Sequence, residues 1–80
     1  MIKELKYMIL SNAPCGKEVT LTEIKGGRGL RSKLYSMGLV PGVKLRVLCG
    51  GGDGGGPLMI SVRDSRLAIG RGMAEKIIVE

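Results

Sequence analysis

The sequence predicts a mainly β fold, a small barrel of about five short strands with one short helix inserted after the first main strand. Two observations carry this prediction. In several short runs, apolar residues alternate with polar ones, which is the period of a half-buried strand, whereas one stretch repeats apolar residues at helical spacing. Because a sheet of short strands exposes its edges, it covers them best by curling into a barrel.

The first main strand is predicted over Val19–Ile24, which is rich in β-branched residues. Upstream, Tyr7–Leu10 is compatible with a short first strand or with the packing edge of a leader. Residues 11–16 have turn chemistry, since Ser or Asn can cap one helical turn and a glycine can close it. Gly26 and Gly27 end the main strand and are expected to form a hinge or bulge.

The helix is predicted over Leu30–Met37. Leu30, Leu34 and Met37 recur at i, i+4 and i+7, which places them on one face of a helix. Gly38 stands where a C-terminal cap requires a positive φ. We therefore expect the helix to end at this glycine.

A tight turn and a strand should follow the helix at once. Pro41 fixes φ at the second position of a turn and Gly42 supplies a positive φ at the third. A strand is then predicted over Val43–Cys49, with alternate apolar residues on one face. Met37, Gly38, Pro41 and Gly42 together form the predicted structural turn.

The remaining chain predicts short strands separated by turns. Gly50 to Gly56 is expected to be a mobile hairpin loop because it holds six glycines and one aspartate. Strands are predicted over Leu58–Val62, Leu67–Ile69 and Ile77–Val79. Asp64-Ser65 should supply the first intervening turn, and Met73–Glu75 a single helical turn.

Length and composition predict one domain over residues 1–80 with a small core. The chain has no Phe and no Trp, so Ile, Leu, Val and Met must provide the burial. It contains no apolar run of membrane-spanning length, and charges at Lys3, Glu4 and Lys6 stand where a signal peptide would be apolar. We therefore expect a cytoplasmic protein.

Catalytic and metal-binding chemistry is sparse in this sequence. The chain has no histidine, and its acids form no pair at the spacing of an acid/base or chelating site. Cys15 and Cys49 are the only cysteines, and without a secretory signal a single pair favours reduced, half-buried thiols. A metal, redox or crosslinking role is the alternative. We expect no enzyme activity, cofactor or resident metal.

One motif resembles a dinucleotide site. Gly50, Gly52 and Gly55 match G-x-G-x-x-G. A dinucleotide fingerprint must be followed by a helix that faces the pyrophosphate, whereas Pro57 and the alternating residues after it predict a strand. The context therefore argues against nucleotide binding by this loop.

The charge distribution points to an acidic partner. The net charge is +6, and the segment between Ile24 and Gly52 contains six bases and no acid. These bases should give the helix and the next strand a shared positive field. A solvated face that keeps the domain soluble is the simpler interpretation. The sequence alone leaves both open.

Several of these residues carry a resemblance to a known family. Leu30, Leu34 and the run Met37-Gly38-Leu39 lead into Pro41-Gly42. Gly56-Pro57 then opens a strand, and the run 67–70, Ala74 and a terminal Ile-Val follow. This pattern over about residues 10–79 resembles the ferrous iron transport protein A (FeoA) family. It is also similar to the C-terminal SH3-like domain of iron-dependent repressors. The glycine-rich 50–56 loop departs from the common pattern.

The resemblance implies an SH3-like barrel in the cytosol that contacts the cytosolic domain of a membrane ferrous iron permease with a GTPase domain. It implies no small-molecule substrate and membrane contact only through that partner. The expected partner-binding residues are Arg28, Arg31, Lys33, Tyr35, Leu39, Lys44 and Arg46. A regulatory or nucleic-acid-binding small barrel remains the alternative, disfavoured because Tyr7 and Tyr35 are the only aromatics.

Overall fold

Six strands form a single antiparallel sheet in this computed structural model, which describes residues 7–48 and 56–80. The elements are β1 Met8–Ile9, a 3₁₀ turn Leu10–Asn12, β2 Glu18–Ile24, α1 Arg28–Ser36, β3 Lys44–Val47, β4 Leu58–Val62, β5 Ser65–Ile69, α2 Arg71–Ala74 and β6 Ile77–Val79. The strands lie in the order β1-β6-β2-β3-β4-β5. Helix α1 follows β2, and the short helix α2 precedes β6.

The central strand β2 pairs with two different neighbours along its length. Its first half pairs with β3 and its second half with β6, and the β6 register shifts between Leu21 and Glu23. At the shift, the Thr22 hydroxyl donates to the Ile78 carbonyl at 3.0 Å. Such an irregularity bends a strand and increases its twist. The bend lets one long strand join both halves of the sheet.

The core is aliphatic, as the absence of Phe and Trp requires. Fifteen buried hydrophobic residues form one cluster, and no described polar or charged residue is buried. On β3, Leu45 and Val47 are buried while Lys44 and Arg46 are exposed. The same alternation runs along β2 and β4, so one face of these strands carries the core and the other faces solvent.

The helix-to-strand connection has the predicted geometry. Gly38 has φ +91°, its N–H donates to the Tyr35 carbonyl, and the Leu39 N–H donates to the Leu34 carbonyl. These two bonds define a Schellman motif, which satisfies carbonyls left free at the helix end. Gly42 has φ +97°, and the Val43 N–H closes the turn on the Val40 carbonyl at 3.1 Å. Both predicted glycine roles are confirmed.

The mainly β class and the helix after the first main strand are also confirmed, with small shifts in boundaries. The helix spans Arg28–Ser36 instead of Leu30–Met37, because Gly27 in extended conformation serves as its N-cap. The β4–β5 turn is Arg63-Asp64, one residue earlier than predicted. The 50–56 loop prediction and the glycine motif fall almost wholly outside the described residues. The strand after Pro57 is present as expected.

Cys15 requires a correction. It is exposed and disulfide-bonded, whereas the sequence favoured a half-buried, reduced thiol. The neighbouring Gly16 N–H donates to the Val47 carbonyl at 2.6 Å. This bond holds the turn that carries Cys15 against the end of β3, two residues before Cys49 in the sequence. Cys49 itself lies outside the described residues.

Candidate functional site

The exposed side of helix α1 carries a shallow groove. Arg28, Arg31, Ser32 and Tyr35 line a cavity of about 260 Å³. These positions are i, i+3, i+4 and i+7, so they share one exposed face of the helix. Tyr35 keeps 43% of its surface exposed. We call this surface the helix groove.

Lys33 does not belong to the helix groove although it lies on the same helix. At about 100° per residue, its position is rotated by about 160° from that of Tyr35, toward the flank that carries Leu30 and Met37. It is exposed and lines neither described cavity. The structure therefore separates Lys33 from Arg28 and Arg31, which the sequence had placed on one face.

A second cavity lies on the solvent face of the sheet. Its volume is about 460 Å³, and its lining residues come from the start of β2, from the 42–46 segment and from the β4–β5 hairpin. Arg46 stands opposite Glu18 on one neighbouring strand and opposite Ser61 on the other. We call this surface the sheet cleft; it is lined by Glu18, Gly42, Val43, Lys44, Leu45, Arg46, Ser61 and Arg63.

The β4–β5 hairpin places Arg63 at the sheet cleft in an unusual backbone conformation. Val62 pairs with Ser65, so Arg63 and Asp64 form a two-residue loop. Arg63 has φ +56°. In two-residue hairpins of this kind the first loop position favours glycine, and a side chain there costs about 1 kcal/mol. The hairpin thus retains a cationic side chain where the backbone alone would favour none.

The structure divides the predicted partner-binding residues into separate groups. Arg28, Arg31 and Tyr35 line the helix groove, whereas Lys44 and Arg46 line the sheet cleft, and the two cavities share no lining residue. One continuous face was predicted because the helix and β3 are adjacent along the chain.

Leu39 lies on neither surface. It is fully buried, since it occupies the position after the helix-capping glycine and the Schellman motif turns it toward Leu34, which is also fully buried. Its assignment as a partner-binding residue does not fit this burial. The exposed apolar residue of this connection is its neighbour Val40.

Sequence reasoning missed several residues of these cavities. Ser32 was left out although it stands at i+4 from Arg28. Glu18, Ser61 and Arg63 were missed because they become neighbours of Arg46 only through strand register. The alternation of β4 indicated that Ser61 faces solvent, but no local signal fixed which strand lies beside it.

Two further features are absent from the described residues. Within residues 7–48 and 56–80, no three His, Cys, Asp or Glu residues are grouped so as to hold a metal ion. In the same ranges, no helix combines the length and hydropathy needed to cross a membrane.

Comparison with known proteins places this geometry in a family. The FeoA domain profile matches residues 8–80. The chain belongs to the FeoA family. Proteins of this family are accessory proteins of ferrous iron transport. A FeoA relative from Methanocaldococcus jannaschii, named "Putative Fe(2+) transport protein A", is 44% identical over 71 residues, which are 89% of this chain and 83% of the relative.

Solved FeoA structures share the fold over nearly the whole chain. An iron uptake regulatory protein (FeoA) superimposes with a TM-score of 0.82 at 39% identity and covers 95% of this chain and 97% of its own. FeoA of Stenotrophomonas maltophilia, described as a prokaryotic SH3 domain protein, gives 0.76 at 25% identity, with coverages of 91% and 89%. The SH3-like assignment is thereby confirmed.

The predicted likeness to metal-dependent repressors is confirmed at the level of the fold. A manganese-dependent transcriptional repressor gives a TM-score of 0.83 at 19% identity, covering 98% of this chain but 43% of its own. The similarity is thus confined to one part of the repressor. It indicates a shared SH3-like architecture, and the FeoA match carries the family assignment.

Proposed function

We propose that this chain is a cytosolic accessory protein of ferrous iron uptake that docks on the cytosolic domain of a membrane iron permease with a GTPase domain. The FeoA family supplies the transport context. The helix groove is the observation that carries the docking proposal, because it joins an exposed Tyr35 to Arg28 and Arg31 on a regular helix.

The chemistry of the helix groove suits an acidic protein surface. Tyr and Arg dominate the binding energy of protein interfaces, since each combines a large contact area with a polar tip. The segment from residue 25 to 52 contains no acid, so neither arginine has a local counter-charge in sequence. Exposed charges at the rim of an interface act mainly on the association rate and on its salt dependence. Arg28 and Arg31 should therefore steer the encounter, and Tyr35 should slow dissociation.

The matched pair Arg31→Glu and Lys33→Glu tests this proposal. Both residues are exposed, both lie on α1 and both substitutions change the charge equally, yet only Arg31 lines the helix groove. We expect Arg31→Glu to weaken binding to the permease's cytosolic domain by about tenfold, and Lys33→Glu to change it less than about twofold. Calorimetric titration at fixed ionic strength measures both. Ferrous iron uptake in cells lacking the endogenous copy should fall only with Arg31→Glu.

If the two variants lose binding equally, the loss depends on net charge alone, and the helix groove is rejected as the docking site. The alternative, a nucleic-acid-binding role, is tested with a single-stranded oligonucleotide. Phosphate contacts would give a steep linear dependence of log affinity on log salt. Loss of oligonucleotide binding by Arg31→Glu with normal iron uptake would favour that alternative.

A further inference from the structure

The sheet cleft brings three cations from two segments into one cavity. Lys44 and Arg46 are exposed on β3, alternating with buried neighbours, and Arg63 comes from the β4–β5 hairpin. Leu45 pairs with Val62 in an antiparallel ladder, so Lys44 and Arg63 are the next residues on the two facing segments. Strand pairing holds the backbone of β3, and the two-residue hairpin loop holds that of Arg63, so the charges converge with little ordering cost in the backbone.

The described residues that line the sheet cleft do not neutralise these charges. Glu18 is the one acidic residue of the lining, so three cations and one carboxylate leave the cleft with a net charge of +2. The side-chain hydrogen bonds among the described residues involve Thr22, Ser36 and Arg71 instead. Among the described residues, the guanidinium and ammonium donors of the cleft therefore have no side-chain acceptor, and they can donate to an external one.

The backbone of the hairpin supports a binding role for Arg63. Its positive φ is unfavourable for any residue other than glycine. Residues held in such conformations cluster at ligand sites. Within residues 7–48 and 56–80, the Arg63 side chain makes no hydrogen bond. Its side chain lines the cleft.

We propose that the sheet cleft binds a small, multiply charged oxyanion. Arg46 and Arg63 would each offer a bidentate fork to a phosphate or carboxylate group, Lys44 a point charge, and Ser61 a hydroxyl donor. The cavity of about 460 Å³ suits a compact ligand. No aromatic residue lines it, so the recognised part is the charged group and not a stacked base. Phosphates and polycarboxylates share this chemistry.

The test titrates the free chain with pyrophosphate in one arm and citrate in the other, at constant ionic strength, and follows backbone amide shifts. We expect saturable binding in at least one arm, with shifts confined to the start of β2, residues 42–46 and 61–64. Two variants should weaken it by about tenfold, Lys44→Gln and Arg63→Gly. Arg31→Gln, which removes a charge from the helix groove, should change affinity less than about twofold.

The Arg63→Gly variant separates ligand binding from folding. Glycine adopts the positive φ without strain, so the thermal midpoint should not fall while the affinity does. The arm that responds identifies the source as phosphoryl or carboxylate chemistry. The proposal is overturned if neither anion saturates, if Arg31→Gln weakens binding as much as Lys44→Gln, or if Arg63→Gly binds as tightly as the natural chain.

Discussion

The helix-to-strand connection and the β4–β5 hairpin both require a positive φ, and they meet the requirement differently. In the connection, glycine occupies both such positions, Gly38 and Gly42, and each lies in a turn closed by backbone hydrogen bonds. In the hairpin, Arg63 adopts φ +56° although glycine would do so at lower cost. The connection is locally consistent with its sequence, whereas the hairpin retains strain.

This difference indicates where the sequence could adopt the most favourable residue for the backbone conformation. The connection carries core residues, and although Gly42 lines the sheet cleft it offers no side chain there, so no functional group opposes the best backbone choice. The hairpin lines the sheet cleft, and replacing Arg63 by glycine would remove one of three cations from it. Departures from local consistency are expected at functional sites. The variants below test whether the connection is purely structural and whether the hairpin strain is real.

The largest effect is expected from Leu39→Ala in the connection. Leu39 is fully buried beside the helix end, so its truncation should cost about 2–5 kcal/mol through lost burial and a residual cavity. Urea unfolding measures the loss. Val40→Ala is the control, because its exposed side chain should change stability by less than about 1 kcal/mol. A fully stable Leu39→Ala that loses partner binding would restore Leu39 as a contact residue.

A smaller loss is expected from Gly38→Val. Apart from Gly38 and its two chain neighbours, no heavy atom of the described residues would lie within 4 Å of a Cβ at this position, so the penalty comes from the φ of +91° and not from a clash. It should exceed about 1 kcal/mol and lower Tm by roughly 4–8 °C for each kcal/mol.

Gly29→Ala is the matched control for the helix-end glycine. Gly29 also has open space around a built Cβ, but it lies inside α1 without a positive φ. Alanine there should raise stability by about 0.5–1 kcal/mol through better helix propensity. A loss of the same size at both positions would mean that the cap conformation of Gly38 is not what limits substitution.

The sequence predicted the helix-to-strand connection well and the sheet cleft poorly. Gly38 and Gly42 were readable because their conformational demands arise within a few residues. Each main strand was readable because alternation is local, and their bounds moved by only one or two residues. The sheet cleft could not be predicted, because Arg46 lies beside Ser61 only through the pairing of two strands whose order in the sheet has no local signal. Lys33 was misplaced because linear proximity to Arg31 hid a rotation of about 200° around the helix.

The smallest effect is expected from the pair Arg63→Gly and Arg63→Ala, and it decides whether the hairpin carries strain. Both variants remove the same guanidinium and the same long side chain, so they lose the same surface electrostatics. They differ in the backbone, because alanine retains a Cβ at a positive φ and glycine does not. Arg63→Gly should therefore be more stable than Arg63→Ala by about 0.5 kcal/mol, because the relief of backbone strain is partly offset by the greater freedom of glycine in the unfolded chain. Thermal and urea unfolding of both variants under one buffer condition measure the difference. Equal stabilities would indicate that the hairpin tolerates a side chain at no cost. The helix-to-strand connection and the hairpin would then differ in residue type but not in backbone strain.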